Sequence, residues 1–151
     1  MVSEIDFGHD WVTAISFKMP NGALFYILCV YLPYQCPDNE EEYISKIGIL
    51  ISIVNDLDSP NILIMGDFNA HLGDIPSSFG KILKESCDEN EILISSKIFL
   101  PANTYTYISE RWESSTSWLD HCICTEGAHD SIRNFRVFYN ASVTDHIPID
   151  L

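Results

Sequence analysis

The chain has 151 residues, of which 46% are hydrophobic, with 22 acidic against 8 basic side chains. This length and composition suit one domain with a hydrophobic core and are too short for two comfortable ones, so we predict a single domain over residues 1–151. The net charge of −14 argues against broad, non-specific nucleic-acid binding, which usually needs a basic surface. It does not exclude catalysis on phosphate esters, because carboxylates hold Mg²⁺ and the metal then supplies positive charge.

Nothing in the sequence predicts a membrane or secreted protein. The most apolar stretch, residues 23–33, is too short and too rich in Tyr and Pro to span a bilayer, and the acidic segment Met1–Asp6 does not resemble a signal peptide. We therefore expect an intracellular protein, in nucleus or cytoplasm, with free and mostly buried cysteines. A zinc cluster of His121, Cys122 and Cys124 is disfavoured, because a strand would point His121 away from the two cysteines.

The first part of the chain predicts a β-hairpin followed by a helix. Residues 11–19 are rich in β-branched and aromatic types, and Pro20-Asn21-Gly22 turns the chain into residues 23–32. Residues 38–42 place a cap and an acidic first turn before apolar side chains at helical spacing. We predict that this helix runs to about Leu57.

The remainder alternates strands with helices. Residues 61–65 form a continuous apolar run too short for a typical helix, as expected for a strand buried on both faces. A short helix over Phe79–Asp88 and a weak strand before residue 95 follow. Further strands are predicted at residues 105–108, 117–124, 134–139 and 147–151. Helices placed as crossovers between strands indicate a layered α/β sandwich.

The first candidate site is Gly66-Asp67-Phe68-Asn69, directly after the buried strand. Asp67 and Asn69 emerge at the carboxyl end of that strand, where active-site loops of α/β folds commonly lie. Asp67 can bind a divalent cation or orient water, while Asn69 can donate to a phosphate oxygen and accept from the nucleophile. The alternative is a simple turn, because Gly, Asp and Asn are turn formers.

The second candidate is Asp120, in the predicted strand that begins at Ser117. Alternation places Asp120 and Trp118 on one face, and Ser117, Leu119 and His121 on the other. A buried Asp on a strand needs a partner, and histidine commonly provides one in catalytic sites. The alternative is an Asp that faces solvent.

The third candidate is Asp145-His146, which introduces the last apolar strand. Asp145 can take a metal and His146 a phosphate. A dyad of Asp120 with His146 would fix the imidazole tautomer and raise its basicity. The alternative is a loop with two polar residues. Tyr31 closes the second hairpin strand, so its phenol can reach a phosphate or leaving group, although a tyrosine taken alone is more often a core residue.

Taken in order, these motifs resemble the endonuclease/exonuclease/phosphatase family, and most of all the endonuclease domain of LINE-type retrotransposons. The match covers nearly the whole chain and rests on Tyr31-x-Pro33, Gly66-Asp67-Phe68-Asn69, Ser117-x-Leu119-Asp120 and Asp145-His146. The resemblance implies a four-layered α/β/β/α sandwich. It also implies Mg²⁺-dependent attack of water on a phosphodiester, with Mn²⁺ as a possible substitute and DNA as the ancestral substrate.

The resemblance also implies roles for single residues. Asp67 would bind or activate the attacking water, and Asn69 would help to hold it and the phosphate. His146 would contact the scissile phosphate, and Asp120 would orient the His146 ring. Asp145 would lie near the metal, and Tyr31 would steady the phosphate or departing oxygen. Ser117 and Thr104 match the positions that contact the nucleic-acid backbone in such domains.

The sequence departs from the family at its N-terminal end. Family domains begin with a strand carrying an Asn and a second strand ending in a metal-binding Glu, and neither is found here. The chain therefore resembles an N-terminally truncated domain, its C-terminal two-thirds, whose partners would include the missing N-terminal half or a reverse transcriptase domain. Asp67 and Asp145 remain as the main metal ligands.

We accordingly expect phosphodiester hydrolysis that is weak or lost in the 151-residue chain. Two alternatives stay open. A non-catalytic interaction module derived from a nuclease would fit the acidic charge and an exposed sheet edge. A phosphatase acting on small phosphate esters would also fit that charge.

Overall fold

The computed structural model describes residues 1–109, 115–141 and 144–151. A five-stranded sheet forms its centre, with the spatial order β1-β2-β3-β4-β7. These strands are β1 (Val2–Ile5), β2 (Val12–Lys18), β3 (Leu24–Tyr31), β4 (Ile62–Asp67) and β7 (Asp120–Cys124). β3 and β4 run parallel, and the other neighbours are antiparallel. This mixed sheet confirms the α/β class.

The hairpin and the long helix form as the sequence predicts. β2 and β3 pair across a turn in which Gly22 has a φ of 89°, a conformation that glycine adopts without strain. A short 3₁₀ turn (Pro37–Asn39) leads into helix α1 (Glu40–Leu57). α1 is the crossover that lets β4 lie parallel to β3, since parallel neighbours cannot be joined by a tight turn.

Helices α1 and α2 (Ser78–Glu89) cover one face of the sheet. The Tyr43 and Phe79 rings stack between them with centroids 4.0 Å apart. The hydroxyl of Ser77 caps α2 by accepting from the Gly80 N–H at 3.1 Å. The main core fills the space between these helices and the strands, and its largest fully buried aliphatic members are Leu28, Leu32, Leu50, Ile62, Ile64, Leu72, Leu83 and Ile123.

β4 is buried on both faces, which confirms the prediction made from its continuous apolar run. Ile62 and Ile64 belong to the main core, whereas Leu63 belongs to a second apolar cluster on the opposite face. That second face is covered in part by α4 (Glu126–Ser131) and by a two-stranded sheet of β8 (Arg136–Val137) and β9 (Ile149–Asp150).

An open cavity of about 710 Å³ remains on the second face. Its apolar walls include Phe17, Phe25, Ile27, Met65 and Ile149. The apolar side chains of β2 and β3 on this face are therefore only partly covered.

Several predicted elements are wrong in extent. The weak strand before residue 95 is a single bridge in which Leu93 and Cys124 exchange hydrogen bonds of 2.8 and 2.9 Å, and the unpredicted helix α3 (Ser95–Phe99) follows. The predicted strand 117–124 is broken, because β6 (Thr116–Ser117) pairs with β5 (Tyr107–Ile108) before β7 begins. The last two predicted strands shorten to β8 and β9, since two-residue ladders suffice over a small patch of core.

The break also places Trp118 differently from the prediction. Its ring was expected on the face of Asp120, but it is fully buried with its centroid 5.4 Å from the His121 ring. Regular alternation fails here because Trp118 and Leu119 lie outside both strands.

All five cysteines are free, and three of them are buried, as predicted. In the part of the chain that the structure describes, no helix is long and apolar enough to cross a membrane.

Gly66 and Gly48 make a matched pair of predictions. Gly66 has a φ of 140°, and a Cβ there would lie 2.1 Å from the carbonyl oxygen of Val30. We expect Gly66→Ala to destabilise the fold by about 3 kcal/mol or more, because β3 must shift away from β4.

Gly48→Ala is the control, because a Cβ on this α1 glycine meets nothing within 4 Å. It should stabilise the fold by about 1 kcal/mol through its higher helix propensity. Urea unfolding monitored by circular dichroism measures both. Equal midpoints for the two variants would contradict the close approach at Gly66.

Candidate active site

The candidate site lies where three neighbouring strands meet at one edge of the sheet. Tyr31 ends β3 and is the register partner of Asp67, which ends β4. Asp67 is in turn the register partner of Asp120, the first residue of β7. Three residues far apart in sequence therefore form one row across the sheet, because the antiparallel strand β7 begins where the parallel strands β3 and β4 end.

Asn69 holds the Asp67 carboxylate in place. It adopts a positive φ of 49°, which lets its backbone N–H donate to Asp67 Oδ1 at 2.8 Å. Its side-chain Nδ2 donates to Asp67 Oδ2 at 3.1 Å and to the carbonyl oxygen of Leu32 at 2.9 Å. Both amide hydrogens are thus used within the protein, and Asn69 Oδ1 is the atom left to accept a hydrogen bond from water.

Asp120 and His146 form the dyad that the sequence suggested. Asp120 Oδ2 accepts from His146 Nδ1 at 2.9 Å, which leaves Nε2 on the other side of the ring. Nε2 lies 3.9 Å from Asp67 Oδ2, too far for a direct hydrogen bond. The imidazole therefore stands between two carboxylates, bonded to one and separated from the other by a gap.

The pKa values follow from this crowding of carboxylates. Burial, together with the charge of Asp120, raises the pKa of Asp67 to about 6 against the lowering effects of Asn69 and His146. For His146, burial lowers the pKa, but the hydrogen bond and charge of Asp120, together with Asp67 and Asp145, outweigh it and raise the pKa above its ordinary value. The site thus favours a protonated imidazole beside an Asp67 that exchanges its proton near neutral pH.

Thr106 is a fully buried residue of this site that the sequence did not reveal. Its hydroxyl oxygen accepts from the backbone N–H groups of Leu119 and Asp120 at 3.1 and 2.9 Å. Its backbone carbonyl accepts from the N–H of Ile147 at 2.7 Å, next to His146. Thr106 therefore fixes both members of the dyad relative to each other.

The segment that carries His146 is held by β5. Tyr107 and His146 form a backbone bridge with their rings 5.1 Å apart, and the Ile108 N–H donates to the carbonyl of Asp145 at 2.9 Å. The hydroxyl of Thr144 accepts from the His146 N–H at 3.2 Å and donates to its carbonyl at 2.9 Å.

The other predicted residues occupy different parts of the rim. Tyr31 is largely exposed above Asp67, and Asp145 is exposed beside the dyad. Ser117 is half-buried on β6 and pairs with Tyr107. Thr104 is buried, so its contact with a nucleic-acid backbone stays a prediction.

The residues suit Mg²⁺ in chemistry but not in number. A partly buried carboxylate with a raised pKa, next to a second carboxylate, is a site that gains from a hard cation. Within residues 1–109, 115–141 and 144–151, however, no group of three His, Cys, Asp or Glu side chains is arranged to hold a metal. These side chains do not by themselves complete a metal site.

His121 anchors the loop that follows Asn69. It is fully buried, its Nε2 bonds to the carbonyl of Ala70 at 2.7 Å, and its Nδ1 contacts Ser96 Oγ at 3.3 Å. His71 Nδ1 accepts a hydrogen bond from the Trp118 N–H at 3.0 Å, and this bond joins the same loop to the residues just before β7. Burial lowers the pKa of His121 to about 4, because a charged imidazole would lose its hydration there.

Comparison with known proteins gives a consistent result. The model of the endonuclease-reverse transcriptase family matches residues 25–150. No curated protein matches the sequence. Among solved structures, the endonuclease domain of TRAS1, a telomere-specific non-LTR retrotransposon, superposes with a TM-score of 0.75 and 18% identity, covering 98% of this chain and 67% of that one.

Two bacterial structures show the same likeness. A 3′-5′ exonuclease of Neisseria meningitidis gives a TM-score of 0.74 at 16% identity, over 98% of this chain and 68% of its own. A mannosyl-6-phosphatase of Bacteroides thetaiotaomicron gives 0.57 at 13% identity, over 95% of this chain and 58% of its own. These superpositions establish the fold. The present chain spans about two-thirds of the length of the first two structures.

Thr106→Val tests the support of the dyad. Valine has nearly the same shape but offers no acceptor, so two buried N–H groups lose their partner at a cost of about 2–4 kcal/mol in unfolding free energy. Hydrogen exchange should then accelerate at the Leu119 and Asp120 amides.

Thr106→Ser keeps the hydroxyl and should preserve the slow exchange of both amides. The assigned role of Thr106 is contradicted if the Val and Ser variants exchange alike at these two positions.

His121 predicts a loss of stability in mild acid. Its pKa of about 4 in the fold lies below the ordinary 6.5, so the unfolded chain takes up the proton first as the pH falls. Stability from this group is complete above pH 6.5 and declines towards pH 4. Between pH 7.5 and pH 5 the loss should be about 2 kcal/mol.

His121→Gln isolates this effect, because Asp67, whose raised pKa works in the opposite direction, is present in both proteins. Urea unfolding at the two pH values gives the comparison. Should the native and variant proteins lose equal stability on acidification, the buried neutral state of His121 is wrong.

Proposed function

Because the chain belongs to the endonuclease-reverse transcriptase family and has the fold of endonuclease/exonuclease/phosphatase enzymes, we propose that it hydrolyses phosphodiesters, with DNA as its substrate. The observation that carries the proposal is the position of His146 between two carboxylates. Its Nδ1 is hydrogen-bonded to Asp120 at 2.9 Å, and its Nε2 lies 3.9 Å from Asp67 Oδ2. DNA is favoured because solved structures with this fold include a retrotransposon endonuclease domain and a Neisseria 3′ phosphatase bound to a DNA hairpin.

The separation of 3.9 Å between His146 Nε2 and Asp67 Oδ2 lets one oxygen atom lie to the side of both within hydrogen-bond distance. His146, kept protonated by Asp120, would donate from Nε2 to a non-bridging phosphate oxygen and offset its charge. Asp67 would accept a proton from the attacking water, for which a pKa of about 6 is well matched near neutral pH. Asn69 Oδ1 would accept the other hydrogen of that water and so orient it.

The bond changes follow from these roles. The water oxygen forms a bond to phosphorus, and a proton of that water passes to Asp67. The bond from phosphorus to the leaving oxygen breaks, its electron pair stays on that oxygen, and the oxygen takes up a proton from solvent. Tyr31 lies exposed at the same rim, in register with Asp67, where its hydroxyl would donate to the departing oxygen. Ser117 and Thr104 are proposed to contact the sugar–phosphate backbone on either side.

Mg²⁺, with Mn²⁺ as a substitute, is the proposed cofactor. Asp67 and Asp145 would hold it together with water and further ligands. When bound, it would neutralise phosphate charge and lower the pKa of the attacking water. A reverse transcriptase domain, named in the description of the family, is the proposed partner in a longer protein.

A phosphatase acting on small esters is the second candidate. The charge of −14 disfavours long polyanions more than compact ones, and a sugar phosphatase is among the structures of this fold. Hydrolysis of a soluble sugar phosphate, without nicking of DNA, would favour it. A non-catalytic module would instead use the open apolar cavity on the second face, and loss of all hydrolysis with retained DNA binding would favour that role.

Plasmid nicking tests the proposed function. Supercoiled DNA is incubated with the 151-residue chain and Mg²⁺ or Mn²⁺, at protein concentrations high enough to detect slow turnover. We expect weak nicking, because the described residues hold no three-ligand metal group. Asp67→Asn and His146→Gln should each lower the rate by about 100-fold or more.

Asp130→Asn is the matched control, since this exposed carboxylate lies on α4 away from the site. It should leave the rate unchanged. Nicking that survives both Asp67→Asn and His146→Gln would show that another site, or a contaminant, performs the reaction.

A further inference from the structure

A separate cavity lies beside the candidate active site, between the hairpin and the start of α1. It measures about 400 Å³, within the range of small-molecule pockets. Its lining includes three aromatic rings, three charged groups and one amide, from Trp11, Tyr31, Tyr34, Asp10, Glu42, Lys46 and Asn39. Of these residues, Tyr31 alone has a role in the hydrolysis proposed above.

One wall of this cavity is joined directly to the active-site loop. Leu32 lines the cavity, donates its N–H to the carbonyl of Asp67 at 2.9 Å, and accepts from Asn69 Nδ2 at 2.9 Å. Tyr31 donates its N–H to the carbonyl of Trp11 at 2.9 Å on the other side. The cavity is therefore held at a fixed position one residue away from Asp67, close enough for neighbouring parts of one substrate to occupy both.

Two of the three aromatic rings of the cavity are exposed. Tyr34 is 66% exposed and Tyr31 is 68% exposed, whereas Trp11 is buried. Within the part of the chain described, neither tyrosine ring stacks on another ring. A large flat apolar surface left in water at the mouth of a cavity gains free energy when a planar ligand covers it.

The charges of the cavity decide which ligand fits. Lys46 Nζ bonds to Glu42 at 2.8 Å and lies 5.6 Å from the centre of the Trp11 ring, so its charge is already compensated. Asp10 then leaves the cavity with an excess negative charge, which repels a second phosphate. Carboxylates instead accept hydrogen bonds from the amino groups on base edges.

We propose that this cavity is a subsite for a nucleobase, taken from the nucleotide next to the scissile phosphate. The base stacks on Tyr34, and its amino edge faces the carboxylates of Asp10 and Glu42. The subsite rests on the proposed function, because Asp67 and His146 place the scissile phosphate beside it. Substrate preference would thus come from the hairpin and α1 as well as from the catalytic loop.

The test pairs base removal in the ligand with ring removal in the protein. Fluorescence anisotropy measures binding of labelled single-stranded DNA ten nucleotides long, in EDTA so that hydrolysis is absent. A tetrahydrofuran abasic unit replaces each nucleotide in turn. At one position, loss of the base should weaken binding about tenfold, the usual effect of one stacked base.

Tyr34→Leu should weaken binding of the intact DNA by a similar factor and make base removal at that position neutral. Tyr34→Phe keeps the ring and should bind as the native chain does. Tyr139→Leu is the control, because this tyrosine is 44% exposed but packs on Tyr105 elsewhere. It should retain the full effect of base removal.

Additive losses from Tyr34→Leu and base removal would overturn the subsite, as would the absence of any sensitive position or of any binding. Loss of affinity only when a propanediol spacer removes the sugar as well would show a sugar pocket instead. The nicking assay separates this proposal from the catalytic one. If base removal and Tyr34→Leu affect binding non-additively but no nicking occurs, the catalytic proposal is wrong and the subsite stands. If nicking occurs but the two effects are additive, the subsite is wrong and the catalytic proposal stands.

Discussion

The parallel pairing of β3 with β4 is the contact on which the rest of the molecule depends. It places Tyr31 and Asp67 side by side at one edge, and it requires the two backbones to approach at Gly66, where a Cβ would lie 2.1 Å from the carbonyl of Val30. α1 makes this pairing possible by carrying the chain back across one face of the sheet. β7 then adds to the free side of β4 and brings Asp120 opposite Asp67. The active-site row is therefore a consequence of strand register, with few contributions from flexible side chains.

Three carboxylates of the candidate site surround His146 and change its pKa. Asp67, Asp120 and Asp145 all act on His146, and each raises its pKa against the lowering effect of burial. A chain with a net charge of −14 thereby creates a local proton donor without a lysine or arginine taking part in the dyad. The same crowding leaves Asp67 able to exchange its proton near neutral pH, so one cluster of carboxylates supports both an acid and a base. The overall charge and the local chemistry are thus separate properties of this protein.

The parts that could be predicted from sequence are those encoded by neighbours in the chain. α1 and β4 follow from apolar periodicity, the hairpin from its turn residues, and Asp67, Asp120 and His146 from their positions at strand ends. Thr106 escaped because its role consists of hydrogen bonds to residues 13 and 14 positions away, and a lone buried threonine carries no local signal. The two-residue strands were predicted too long for a similar reason, since a short ladder has no periodicity that marks its ends. The donors of Asn69 are directed inward by a positive φ that the residue type permits but does not require.

The two members of the dyad are attached to the molecule with unequal strength. Asp120, like Asp67, belongs to the five-stranded sheet, whereas His146 lies in a segment held by Thr106 and by two-residue ladders at either side. Elements with so few contacts open as a local unit at a lower free energy than the core that carries them. Heating would release His146 from Asp120 while the sheet and both large helices persist. The dyad would then come apart before the fold is lost, so the smallest pieces of the structure set the temperature up to which the candidate site stays assembled.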